Sequence, residues 1–242
     1  MPFTPSHVAA VLPFLRTPLP ASALVVGSLT PDLPYYLPVD FPWRTHTALA
    51  VVSTDLLLGA LAWIVWHAVL SEPALDASPA SLRGRLAGVP LGLGPRIRTS
   101  SRLAWTALAL ILGAATHVLW DEFTHPRRWG TEHVPALART WGLLPGYRWL
   151  QYLTGLAGAA VLLVWFVRWW RRTPRQPDTR RRPGARWAWV LIAAAGLVAG
   201  IPPALAASGI GGAGYAGATW GGGALGVAVV LATTWHVRGA RR

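Results

Sequence analysis

The chain has 242 residues, of which 53% are hydrophobic and only 13% charged, about half the roughly 25% charge usual in a soluble domain. Its apolar residues fall in long blocks and do not alternate with polar ones, which excludes an ordinary globular enzyme. The net charge of +13 comes from 22 basic residues, all Arg, placed beside the apolar blocks, so it reads as membrane topology and not as nucleic-acid binding.

In chain order, MPFTPSHVAAVLPFLR has no basic stretch before its short apolar run, and no cleaved signal peptide is expected. Leu19 to Thr30 is apolar but shorter than the about 20 residues a crossing helix needs. It predicts a re-entrant or interfacial helix packed on a bundle. GSLTPDLPYYLP follows, in which Pro31, Pro34 and Pro38 stiffen the turn carrying Asp32. Five stretches are long enough to span: 47–70, 103–120, 149–167, 187–207 and 215–237. The first is expected to start with His46 in its opening turn. On one continuous helix Asp55, nine residues on, faces away from His46 by about 180° and bonds another helix. An acid inside a span is otherwise a functional hypothesis.

Small residues at four-residue spacing, Gly155 with Ala159 and Gly196 with Gly200, are expected at helix contacts. Pro202-Pro203 should kink or end the fourth span, with SGIGGAG as a tight connection to the fifth. Many of the fifteen Trp residues sit at block ends (Trp63, Trp66, Trp120, Trp149, Trp187), as interfacial belts would have them. His67 and His236 fall at inner span ends and read as interfacial. The fold class is all-α, a polytopic transmembrane bundle of about five spans with an N-terminal re-entrant or interfacial helix.

The segment from Arg168 to Arg186 holds eight Arg and one acid and is placed in the cytoplasm. Alternation then puts the 71–102 loop and the C-terminal tail inside too, accounting for sixteen of the 22 Arg. The N-terminus is expected outside and the C-terminus inside, in a cytoplasmic membrane. Residues 1–170 form a membrane domain, 171–186 an Arg-rich cytoplasmic loop, and 187–242 a two-span hairpin with a basic tail.

This topology gathers chemistry on the outer face. His7, Asp32, Asp40 and His46 precede the first span, and HVLWDEFTH closes the second. Residues four apart on a helix are offset by about 40°, so His117, Asp121 and His125 lie along one stripe. Pro126 disfavours helix at His125, which is therefore expected just off the helix end. Imidazole and carboxylate donors without thiolate (Cys is absent) suit Zn, Mn or Fe and allow more than one ion. The plainer readings stay open: His117 pairing with Asp121, Asp32 as a cap, His46 as an interfacial polar group. Glu122 is a candidate proton acceptor but lies off the stripe. Glu132 and His133 read as solvated, and Arg127 and Arg128 as lipid anchors or anion contacts.

MPFTPSH, ALVVGSLTPDLPYY, RTHTALAVVSTDLLLGAL and GAATHVLWDEFTHPRRWG together resemble the bacterial membrane family called domain of unknown function 4184, over most of residues 1–170. That family is in turn similar to membrane-bound metal-dependent hydrolases. The resemblance implies metal-ligand roles for His7, Asp32, His46, His117 and Asp121, with His125 in a family-like THP element. The expectation is a hydrolase holding a divalent metal, Zn foremost, and acting at the outer membrane interface on a phosphoester or lipid-linked substrate, with the bilayer as its other partner. Catalytic residues and oligomeric state are not assigned. The alternatives are a non-catalytic metal-binding scaffold and a small transporter using Asp55.

Overall fold

The computed structural model describes residues 4–177 and 187–240. Much of the expected cytoplasmic loop (178–186), Arg241, Arg242 and the side chain of His236 lie outside the described residues. A 3₁₀ helix, Thr4–Arg16, leads into α1 (Ala21–Leu29) and then a second 3₁₀ helix, Thr30–Tyr36. α2 (Ala48–Val52) and α3 (Thr54–Val65) follow, and a π-helical turn, Trp66–Leu70, joins α3 to α4 (Ser71–Ala77). α5 (Ala80–Leu86) lies in the next connection. α6 (Ser100–Thr124) precedes short α7 (Trp129–His133) and α8 (Pro135–Ala138), and a two-residue antiparallel ladder, β1 (Thr140–Trp141) with β2 (Leu144–Pro145). α9 (Gly146–Arg172) and the hairpin of α10 (Trp187–Ala206) and α11 (Gly209–Ala240) complete the bundle.

Among the described residues five helical stretches are long and apolar enough to cross a membrane: Thr54–Ala77, Ser100–His133, Gly146–Arg172, Trp187–Ala206 and Gly212–Thr234. The all-α bundle is therefore as expected, with one early difference. The first span starts at Thr54 and not at Thr47, because the backbone breaks at Ser53 (φ −127°, ψ −92°), whose hydroxyl bonds the Leu49 carbonyl at 2.7 Å.

Short α1 is the centre of the bundle. Ala23 and Leu24 are fully buried with Val11, Ala109 and Leu110. Contact with α6 is at backbone distance: a Cβ on Gly27 would lie 2.3 Å from the Leu110 carbonyl oxygen, and one on Gly113 2.4 Å from that of Leu24. At the opposite end of α1, the Trp63 indole donates to the Ser22 hydroxyl at 3.0 Å, and His67 Nε2 lies 2.9 Å from the same oxygen. His67, expected at an interface, is thus buried in the bundle, and Trp63 belongs to the core instead of a belt.

On α9 the packing residues are Gly155 and Gly158, while Ala159 is exposed. A Cβ on Gly158 would meet the Ser6 carbonyl at 2.9 Å. Gly200 sits against the Gly217 carbonyl (2.8 Å for its added Cβ), as the small-residue spacing predicted. α10 runs through Pro202-Pro203 to Ala206 instead of ending there, and Gly209 (φ +71°) opens α11. The Arg85 guanidinium covers the Trp170 ring at 4.0 Å, which brings the 71–102 loop and the end of α9 to one end of the bundle. The starts of α3 and α9 and the end of α6 share the other.

Candidate metal centre

The close approach of α1 to α6 sets the first ligand. His117, one turn beyond Gly113, is fully buried, and its Nδ1 lies 2.7 Å from the Ser28 carbonyl oxygen. A carbonyl only accepts, so Nδ1 carries a proton, and Nε2 is the nitrogen left to offer a lone pair to a metal in place of a proton. That Nε2 has no hydrogen-bond partner, and faces Asp32 Oδ1 and Asp121 Oδ2 at 3.6 Å each. A buried ring atom left in this way needs an explanation.

His46 reaches the same point from outside any helix, which corrects its expected place in the first turn of a span. It holds φ +61°, a left-handed conformation rare outside glycine. Its carbonyl accepts from Arg128 Nη1 at 2.7 Å and its Nδ1 contacts the Thr45 hydroxyl at 2.9 Å. Nε2 then lies 3.1 Å from Asp32 Oδ1 and 3.4 Å from Asp121 Oδ2. Asp32, on the second 3₁₀ helix, turns its other oxygen to the Thr4 hydroxyl at 2.5 Å. Burial pushes the Asp32 carboxyl up, but the His117 and His46 rings and the Thr4 hydroxyl outweigh it and hold it well below the usual carboxylate range.

Asp32, His46, His117 and Asp121 are all buried, with donor atoms within 4.8 Å of one another. Four donors set tetrahedrally about 2.0–2.1 Å from zinc are roughly 3.3–3.4 Å apart. The imidazole–carboxylate separations of 3.1 to 3.6 Å bracket that edge. The quartet can hold a metal ion.

Two further histidines join it. His7 stacks on His117 with ring centroids 3.9 Å apart, its Nε2 3.6 Å from Asp121 Oδ1 and its Nδ1 buried without a partner. Burial and neighbouring His117 push the His7 imidazole down to about 4, so it is neutral at pH 7. His125 is extended at the end of α6, off the helix as Pro126 predicted. Its Nδ1 is 3.2 Å from Asp121 Oδ1 and its Nε2 2.9 Å from the Gln151 amide nitrogen. All six residues singled out in the sequence therefore meet. Asp40 and His133 are exposed and stay outside. Glu122 accepts from the Trp129 amide at 2.8 Å and pairs with Arg128 at 3.6 Å, so it fastens α7 and is not aimed at the cluster.

Asp55 is the main correction. Because the chain breaks at Ser53, α2 and α3 do not share a register, and the 180° offset from His46 expected of one continuous helix does not apply to Asp55, which stands in the first turn of α3. It is 1% exposed and neither carboxylate oxygen has a hydrogen-bond partner. Thr4, Ser28 and Thr124 were not anticipated, since single hydroxyls carry no pattern. Gln151 had one signal, a polar amide within an apolar stretch. With His7, Asp32, Asp121 and His125 it lines a cavity of about 20 Å³, room for an ion or a water.

Arg128→Ala removes the clamp on the strained His46 carbonyl. The expected result is a loss of about 1–3 kcal/mol of stability and roughly 10- to 100-fold in metal affinity, measured by thermal unfolding in detergent and by competition with a chromophoric chelator. Unchanged affinity would show that the clamp does not position His46.

Residues 1–238 match the model of the family described as Domain of unknown function (DUF4184). The match passes residue 170, where the sequence motifs stop, and takes in both helices of the C-terminal hairpin. No curated protein and no solved structure matches the chain.

Proposed function

The chain belongs to the DUF4184 family, and on that premise we propose that it is a membrane-embedded metal-dependent hydrolase acting on a phosphoester or lipid-linked substrate at the outer membrane interface. The observation that carries this reading is a buried His/Asp quartet with a ring nitrogen left without a partner, adjoining a small cavity. Bound there, a divalent ion, zinc foremost and Mn or Fe as alternatives, supplies Lewis acidity for a phosphoryl oxygen and a lowered pKa for water. The chain's own part is to hold the donors: Ser28 sets the His117 tautomer, Thr4 orients Asp32, and Arg128 holds His46.

A lipid substrate is favoured by an apolar groove between the N-terminal 3₁₀ helix, α6 and α9, lined by Ala9, Phe123, Leu150, Ala157 and Val161. It shares Trp120 and Thr124 with the polar cavity, so an acyl chain in the groove leaves its headgroup beside the histidines. The Thr124 and Thr154 hydroxyls in it donate to the Trp120 and Leu150 carbonyls of their own helices. The Arg distribution supports a cytoplasmic-membrane topology with the cluster outside, the N-terminus outside and the C-terminus inside.

One observation favours a second reading, a metal-binding scaffold. The quartet supplies four protein ligands, all buried, and a closed tetrahedral site of that kind is structural more often than catalytic. Gln151, one of the polar groups from which a transport path would be built, lines the cavity with His7 and His125, which counts against transport.

The test is to purify the protein in detergent, measure bound metal, and assay wild type and His117→Ala against water-soluble phosphoesters and phospholipids. Turnover that follows metal content and disappears in the variant is expected. Tight metal binding with no turnover on any substrate would favour the scaffold.

A further inference from the structure

The two carboxylate oxygens of Asp121 face different histidines. Oδ2 lies 3.4 Å from His46 Nε2 and 3.6 Å from His117 Nε2. Oδ1 lies 3.6 Å from His7 Nε2 and 3.2 Å from His125 Nδ1. Six donors about 2.1 Å from one octahedral ion would all lie within roughly 4.2 Å of one another. Yet among the described residues the group whose donor atoms all meet within 4.8 Å of one another is Asp32, His46, His117 and Asp121, and His7 and His125 are related to it through Asp121 Oδ1. His7 and His125 stand apart from it while still touching its carboxylate.

We propose that Asp121 bridges two metal subsites, and that His7, Asp121 Oδ1 and His125 form the second, which takes a divalent cation and keeps a position open to the cavity. The inference rests on the hydrolase reading above and assigns its reactive end. The two subsites differ in the way that separates structural from catalytic sites, four protein ligands against three with a vacancy. The first is sealed: its side chains are 4% exposed or less. The second is not: the His125 side chain is 21% exposed and lines the cavity with His7 and Gln151.

The polar atoms around the second subsite are unmatched in a way that a cation answers. His7 is buried and its Nδ1 has no hydrogen-bond partner, while its Nε2 faces Asp121 Oδ1 at 3.6 Å. The Gln151 amide oxygen is also buried without a partner, while its nitrogen faces His125 Nε2 at 2.9 Å. Turning that amide over lets its oxygen accept from Nε2–H of His125, and leaves the Nδ1 lone pair pointing at the subsite. The Thr124 hydroxyl, which donates to the Trp120 carbonyl, stands beside both groups, 3.5 Å from Asp121 Oδ1 and 3.2 Å from His125 Nδ1. The open position takes a water or a phosphoryl oxygen of the substrate arriving through the cavity.

Metal stoichiometry tests this without any assay of turnover. Wild type, a His7→Ala/His125→Ala double variant and the conservative His125→Gln are purified in detergent, checked for a monodisperse elution and a cooperative thermal transition, and saturated with zinc. Two equivalents per chain are expected for wild type and one for the double variant, with the tighter equivalent retained. Loaded with manganese, wild type should show the spin-coupled resonance of a paired site, and both variants that of isolated ions. A wild type that takes up one equivalent, which the double variant keeps, overturns the second subsite and leaves the first standing. A wild type that takes up none overturns the hydrolase reading as well.

Discussion

Asp121→Ala is expected to strip the protein of metal and to abolish any metal-dependent turnover, the largest effect of a single substitution here. The residue is 2% exposed and its two oxygens serve four imidazoles, so no neighbour can replace it. With Asp32 it supplies the two negative charges that offset a dication in a medium too dry to do so itself. Removing one partner of a buried charged set costs about 3–5 kcal/mol, or roughly two to nearly four powers of ten in affinity. Asp121→Asn separates charge from shape: it keeps the volume and one carbonyl acceptor but loses the charge, and should fail nearly as badly. Elemental analysis of the purified variants decides the matter. Either variant holding a full complement of metal would sink the placement of Asp121 at the centre.

Gly113→Ala ranks second, and its effect arises away from the ligands. The added methyl lands 2.4 Å from the Leu24 carbonyl oxygen and 2.7 Å from the Ser28 nitrogen, both backbone atoms of α1 that cannot turn aside. Helix α1 must move, at about 1–3 kcal/mol for an overpacked core and more where backbone is displaced. It takes with it the Ser28 carbonyl that fixes the His117 tautomer. Lower thermal stability in detergent and weaker metal binding are therefore expected together. Gly196→Ala is the control. Its methyl meets the end of the Leu225 side chain at 2.8 Å, which can rotate, in a hairpin that supplies no ligand. It should cost less stability and leave metal affinity unchanged. Equal metal affinity in Gly113→Ala and wild type would break the link between the α1–α6 crossing and the site.

The legible parts of this protein were those encoded in runs and repeats. Five apolar blocks announced five spans, because a bilayer demands a minimum length of hydrocarbon-compatible helix whatever the fold. HxxxD placed His117 and Asp121 on one helical stripe, because the α-helix has one pitch. Pro126 marked where His125 leaves that stripe, because the ring of proline excludes helix from the residue before it.

Errors arose where a single backbone torsion or a side chain from a distant segment decided the outcome. The break at Ser53 removed the single helix by which Asp55 was related to His46, and His46 left its expected helix for a left-handed conformation. His67 was drawn from an interface to Ser22, 45 residues away. The Ala159 position lost to Gly158, one residue nearer, because the contact there is with the N-terminal 3₁₀ helix, which the sequence did not show as helical.

By itself, then, the order of residues determined the all-α membrane class, the number of spans, and the set of His and Asp residues facing one side. Periodicity and hydrophobic length are local properties, readable along the chain. Only the tertiary structure decided that α1 lies at the centre, that two glycines bring its backbone onto α6, and that Asp121 divides its oxygens between two pairs of histidines. Those are distances between segments up to about a hundred residues apart, set by close packing. A gap of one ångström there is the difference between a ligand sphere and a group of unrelated polar side chains.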